Sequence, residues 1–118
     1  MNIENELKKL LHYSPSTGVF TWIASNTNRV QIGDIAGYKN AQNYIVIKAN
    51  GKLYRAHRIA WLFVFGEWPK DEIDHINHDR SDNRLFNLRN VTRQENQRNR
   101  GKHFLPYHLF LLYLLFLE

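Results

Sequence analysis

Apolar residues at Ile3, Leu7, Leu10 and Leu11 recur at helical spacing, and Asn2 stands just before them where a side-chain cap belongs. Ser14-Pro15-Ser16-Thr17-Gly18 is a turn signal that ends this helix. Val19 to Ile23 then reads as a strand with two aromatics. Gly33 to Tyr38 and Tyr44 to Lys48 read as further short strands, with polar turns at 39–43 and at Asn50-Gly51. Asn50-Gly51 lies between Ile45-Val46-Ile47 and Leu53-Tyr54, which predicts a hairpin. From His57 to Phe65 the pattern is helical again and apolar on most sides, with Gly66 at the C-cap position, so this is the expected core helix. Trp68-Pro69 marks its exit. Ile73 to His75 is a short strand, Ile76 to Phe86 a polar loop, and Leu88 to Val91 a second strand. Thr92-x-x-Glu95 is a capping box opening a last helix from about Arg93 to Arg100. The expected fold class is α+β. An N-terminal helix, a small antiparallel sheet and a core helix occupy 1–70, a strand–loop–strand–helix unit occupies 71–102, and the tail 103–118 stands apart from one compact domain.

Charge narrows the class of partner. The 118 residues carry 16 Lys and Arg against 11 Asp and Glu, a net of +5 with a pI near 9.6. Between Arg80 and Lys102 stand Arg80, Arg84, Arg89, Arg93, Arg98, Arg100 and Lys102 against Asp82 and Glu95. Arginine dominates that run, and its planar fork matches phosphate oxygens. A polyanionic partner is expected, although a solvated helix face or a membrane surface accounts for such an excess too. Without cysteine there is no disulfide framework, no Cys-based zinc site and no thiol nucleophile. The start, M-N-I-E-N-E-L-K-K-L-L, lacks a basic region followed by an apolar core, so a secretory leader is not expected and a cytoplasmic protein is. The tail from Phe104 to Leu117 holds no charged side chain. Its 14 residues fall short of the roughly 20 that cross a bilayer, and Pro106 interrupts it. Stable membrane association is not expected. A segment packed on the domain and a disrupted reading frame both account for the tail.

The candidate chemistry lies between Glu72 and Arg100. Hydrolysis of a phosphodiester needs a nucleophilic water, relief of charge on the phosphate and a stabilised leaving oxygen. His75 as a neutral imidazole suits the role of general base. Asp74 and the Asn96 carbonyl are hard oxygen donors, which favour a divalent Mg2+ or Mn2+ over zinc. Neighbours on a regular strand point to opposite faces, so Asp74 and His75 serve one phosphate only if the strand twists or ends there. Asn87, where the loop re-enters the second strand, is placed to bridge loop backbone groups and hold His75. His57 and Arg58 open the core helix, where phosphate contact and a capping or packing role are equally open. Arg55, Trp22 and Trp61 read as sheet and core residues, and Trp68 as a loop anchor.

The run D-H-I-N-H-D-R-S-D-N-R-L-F-N-L-R-N-V-T-R-Q-E-N-Q-R-N resembles the His-Asn-His (HNH) endonuclease motif, in the variant with Asn in place of the last His, as in small phage-encoded and intron-associated homing endonucleases. The likeness extends upstream through A-H-R-I-A-W-L-F-V-F-G-E-W-P, and loosely to T-G-V-F-T-W, covering roughly 5 to 102. It implies a ββα-metal module, with His75 as general base, Asp74 and Asn96 as metal ligands and Asn87 as the central Asn that orients the loop. It also implies metal-dependent cleavage of double-stranded DNA by a monomer, in the host-cell cytoplasm if phage-encoded. The module would enter the minor groove, with Arg80, Arg84, Arg93, Arg98 and Arg100 gripping the backbone. His78 departs from the pattern, standing where many relatives carry Gly, and nothing after Lys102 matches.

Two other readings stay open on sequence alone. One is a DNA-binding relative that no longer cuts, which the unusual tail favours. The other is a structural zinc site built from Asp74, His75, His78 and Asp79, an uncommon ligand set without cysteine.

Overall fold

In the computed structural model, the structure describes residues 2–25, 28–92 and 94. The chain opens with α1 (Ile3–Leu10). The Asn2 side chain accepts hydrogen bonds from the backbone N–H of Glu4 (2.7 Å) and Asn5 (3.4 Å), satisfying two of the donors a helix start leaves free. Glu4 and Glu6 lie in the first turn and Lys8 and Lys9 in the last, the arrangement the helix dipole favours.

Leu11, expected in this helix, instead begins β1 (Leu11–Tyr13), which pairs antiparallel with β2 (Phe20–Trp22) in the register Leu11 with Trp22 and Tyr13 with Phe20. The reason is packing. Leu11 and Tyr13 are buried and His12 is exposed, so the period switches to two as soon as a partner strand is present. Ser14–Gly18 is then the hairpin turn, closed by Ser14 N–H on the Val19 carbonyl (3.0 Å) and Gly18 N–H on the Ser14 carbonyl (2.7 Å).

The segment expected as a strand from Gly33 to Tyr38 is broken. It runs beside β2 through a bridge between Thr21 and Ile35, then bends, because Gly33 and Gly37 both adopt positive φ (96° and 98°). Only β3 (Tyr38–Lys39) continues as a strand, followed by β4 (Ile45–Ala49) and β5 (Lys52–Arg55). These three form one antiparallel sheet in the order β3-β4-β5, so the expected single small N-terminal sheet is two separate sheets, β1-β2 and β3-β4-β5. Asn50 (φ 52°) and Gly51 (φ 79°) close β4 onto β5 as a two-residue turn with both residues left-handed, which suits the strand twist.

The core helix α2 (Ala56–Phe65) buries Ala56, Ile59, Ala60, Trp61 and Leu62 and ends at left-handed Gly66, whose N–H bonds to the Leu62 carbonyl (2.9 Å). Finally β6 (Glu72–His75) pairs antiparallel with β7 (Leu88–Val91), and the long loop between them closes through a 3-10 turn at Leu85–Asn87. One hydrophobic core joins the two halves: Leu7, Leu11, Phe20, Ile47 and Ile59 pack with Leu88, and Ile73 lies against them. The capping box, the last helix and the tail 103–118 lie outside the described residues apart from Thr92 and Gln94. Among the described residues no helix is long and apolar enough to cross a membrane.

The β1–β2 turn is pressed onto the long loop. The Leu85 N–H donates to the Pro15 carbonyl (2.9 Å), and a Cβ on Gly18 (φ 77°) would lie 2.4 Å from both the Asn83 carbonyl carbon and the Arg84 nitrogen. Both the conformation and the space demand glycine. Gly18→Ala is therefore expected to cost about 3 kcal/mol of folding stability. Urea denaturation would show this as a lowered midpoint.

Candidate active site

The site is assembled where β6 ends. Asp74 and His75 alternate on the strand and address different surroundings. Asp74 lies opposite Arg89 in the register, and its half-buried carboxylate pairs through Oδ2 with the buried Arg89 guanidinium. His75 is 5% exposed and turns inward. The strand stops at this residue: Ile76 N–H bonds to the Asn87 carbonyl (2.9 Å) and His78 N–H to the His75 carbonyl (2.8 Å). Sequence reasoning required such a break for Asp74 and His75 to serve one phosphate.

The imidazole is held by Asn83. His75 Nε2 lies 2.9 Å from Asn83 Oδ1, and a carbonyl oxygen can only accept, so the proton is on Nε2 and the lone pair on Nδ1. Asn83 is 2% exposed, and its own carbonyl accepts from the Tyr13 hydroxyl at 2.6 Å. Burial pushes the Tyr13 phenol well above its ordinary value, helped by Asp82, so it stays a donor. Sequence reasoning missed Asn83 and Tyr13. Neither carries a local signal, since Asn83 is one amide in an Asn-rich loop and Tyr13 is 70 residues away from it.

Asn87 organises the loop. Its Oδ1 accepts from the Asn77 N–H (2.9 Å), and its Nδ2 donates to Asn77 Oδ1 (3.0 Å) and to the Asp82 carbonyl (2.8 Å). It reaches His75 only through backbone, and the direct bond to the ring is Asn83's. His78 stands in the left-handed region (φ 66°), which glycine enters at little cost and other residues seldom do.

His57 sits inside the fold. It is 6% exposed, its ring centroid lies 5.1 Å from that of His75 in an edge-on arrangement, and Tyr44 packs on it at 5.3 Å. The reading of His57 as a phosphate contact is therefore corrected to one of packing, because the core side of α2 claims this ring. Burial lowers its pKa to about 3, with further lowering from His75, Arg58 and Arg55. Among the described residues its buried Nδ1 has no hydrogen-bond partner. Burial also lowers the His75 pKa, opposed by the Asn83 bond and by Asp74, Asp82 and Asp79, so both rings are neutral near pH 7.

The candidate DNA-contacting arginines fare differently. Arg80 is exposed, donates to the Gln42 carbonyl (3.2 Å) and lies over the Tyr44 ring (5.0 Å). Arg58 is half-buried over Trp68 (6.0 Å). Arg84 forks onto Asp82, with Nε at 2.8 Å and an Nη at 2.6 Å from its two oxygens, and covers Phe86. Its charge is thus matched within the loop. Burial acts to raise the Asp82 pKa, but the hydrogen bonds from Arg84 and Asn77 prevail and lower it. Asn96, Arg93, Arg98 and Arg100 lie outside the described residues.

For a divalent cation, the described donor is Asp74. Its carboxylate, paired through Oδ2 with Arg89, is a hard-oxygen group near the strand end, the kind that suits Mg2+. Among the described residues no three His, Cys, Asp or Glu side chains converge as a metal cluster. Asp74, His75, His78 and Asp79, all described, thus do not converge as the zinc site that the sequence left open.

Residues 54–98 match the family model described as HNH endonuclease. No curated protein matches the chain significantly. Among solved structures, the fold is similar to one described as DNA binding and cleavage by the HNH homing endonuclease I-HmuI, with a TM-score of 0.56 and 24% identity. The match covers 86% of this chain and 59% of that one, so the chain spans about three fifths of that protein's length.

The buried neutral histidines set an acid limit to stability. An unfolded histidine binds its proton near pH 6.5, whereas folded His57 resists it down to about 3, so stability is full above the first value and falls as pH drops between them. The expected slope is at most about 1.4 kcal/mol per pH unit for this residue. Urea denaturation at a series of pH values should show the slope in the wild type, and His57→Phe should remove its share.

Proposed function

With residues 54–98 a member of the HNH endonuclease family, we propose that this protein is a metal-dependent endonuclease that hydrolyses DNA phosphodiester bonds, of the phage-encoded or homing type. The observation that carries the reading is the neutral imidazole of His75, fixed through Nε2 by Asn83 beside the Asp74 carboxylate at a strand end. That geometry leaves Nδ1 to take a proton from the attacking water. Burial keeps the ring in its basic form at neutral pH. Asn87 holds the loop so that the ring and the carboxylate keep their relative places. Arg89 balances the Asp74 charge and fixes the carboxylate's direction. Asp74 and Asn96 would hold Mg2+ or Mn2+, which when bound relieves charge on the phosphate and on the leaving 3′ oxygen.

The partner is double-stranded DNA, met at the minor groove. Exposed Arg80 grips backbone, and Arg93, Arg98 and Arg100 extend that role along the chain. Such contacts position without reading sequence, so binding weakens steeply with salt. The protein acts as a monomer in the cytoplasm, that of the host if the gene is a phage's.

Supercoiled plasmid incubated with Mg2+, Mn2+ or EDTA tests the reading. The wild type should nick or linearise it only with metal. His75→Ala should lower the rate by about 10²–10⁴. Asp74→Ala should lose cutting and retain binding, and Asn83→Ala should slow cutting by roughly 10–100-fold through the loosened imidazole. A folded wild type that binds DNA and never cuts it would instead establish the non-cutting relative.

A further inference from the structure

We propose that the notch between the β3–β4 turn and the loop following His75 is a second phosphate site, in which Lys39, His78 and Arg80 hold the DNA backbone beside the bond being cut. This rests on the endonuclease reading and deepens it. Lys39, Asn43, His78, Asp79 and Arg80 line an open cleft of about 470 Å3. It adjoins the catalytic imidazole, because the His78 N–H bonds directly to the His75 carbonyl.

The notch is built before any ligand arrives. Arg80 ties one wall to the other through its bond to the Gln42 carbonyl (3.2 Å), and its guanidinium rests over Tyr44 (5.0 Å). Tyr44 in turn packs 6.4 Å from the His75 ring, so the cation is set relative to the base. Asn40 Oδ1 shapes the opposite turn by accepting from the N–H of Gln42 and of Tyr44, both at 3.0 Å. A flexible arginine would lose rotamer freedom on meeting a phosphate, and this one has already lost part of it.

His78 gives the second argument. A Cβ in the left-handed region costs about 1 kcal/mol relative to glycine, yet this exposed loop position carries an imidazole at φ 66°. The imidazole carried there is part of the lining of the cleft. The lining also holds one carboxylate: Asp79 Oδ1 accepts from the Ser81 N–H (3.0 Å) and hydroxyl (2.7 Å), and these bonds, with the Lys39 charge, hold the carboxyl below its ordinary range, so two cations face one anion in the cleft. Lys39 and Arg80 supply charged N–H donors, and the Asn43 amide adds a neutral one. That chemistry recognises a phosphodiester and carries no base specificity.

The test compares the wild type, Lys39→Ala, His78→Gly and the double variant, with Lys9→Ala on the exposed face of α1 as a charge control. Affinity for duplexes of unrelated sequence is measured in EDTA, so nothing is cut, between about 50 and 200 mM salt. Lys39→Ala should weaken binding several-fold on every sequence and flatten the log–log salt slope by about one. His78→Gly should weaken binding while leaving the melting temperature unchanged or higher, since the strained Cβ is gone. The double variant should lose more than either. Unchanged affinity and slope in these variants, or an equal loss in Lys9→Ala, would overturn the phosphate site and leave the endonuclease reading standing. A wild type that binds no DNA would overturn both.

Discussion

The hydrogen bond between Asn83 Oδ1 and His75 Nε2 is the interaction on which the rest of the site depends. A buried amide must have its polar atoms satisfied, so it holds its place only if its surroundings are built to hold it. Here they are. The Tyr13 hydroxyl caps the Asn83 carbonyl, Gly18 leaves room for the backbone to pass, and the Pro15 carbonyl secures Leu85 two residues on. The β1–β2 hairpin, remote from β6 in sequence, is thus the support against which the His75 imidazole, the proposed base, is held.

Electrostatics follow the same economy. Asp74 on β6 and Asp79 and Asp82 in the loop after it stand near the histidine, and alone would repel a phosphate. Two are paired with a cation, Asp82 with the fork of Arg84 and Asp74 with Arg89 across the ladder, while Asp79 accepts from Ser81 and feels the Lys39 charge. The carboxylates shape the loop and leave Arg80 and Lys39 to face outward. Behind them, His57, Tyr44 and His75 form a cluster of tilted and edge-on rings, and the burial of the two imidazoles keeps both neutral. Burial achieves this without any dedicated charge.

Much of the fold was legible because its elements are defined by local pattern. The Asn2 cap, the Asn50-Gly51 hairpin, the apolar run ending at Gly66 and the strand from Leu88 to Val91 each rest on neighbours in sequence. The failures also have physical causes. Leu11 satisfies helical spacing and strand alternation equally, and the presence of β2 decides between them. Gly33 and Gly37 sit in a run that reads as extended, but their positive φ bends the chain.

The sequence by itself determined where the candidate residues lie, an Asp-His pair at a strand end and an Asn at the loop's return, both set by residue type and short spacing. Only the tertiary structure decided how they are held. That Asn83 and not Asn87 bonds the imidazole, that Arg89 faces Asp74, that His57 turns into the core and that Lys39 meets Arg80 across a notch all depend on a register. The twelve-residue loop between Ile76 and Asn87 leaves that register to packing, since only short turns dictate how two strands pair. Long-range placement comes from the shared core of Leu7, Leu11, Ile59 and Leu88, where burial acts without regard to distance along the chain.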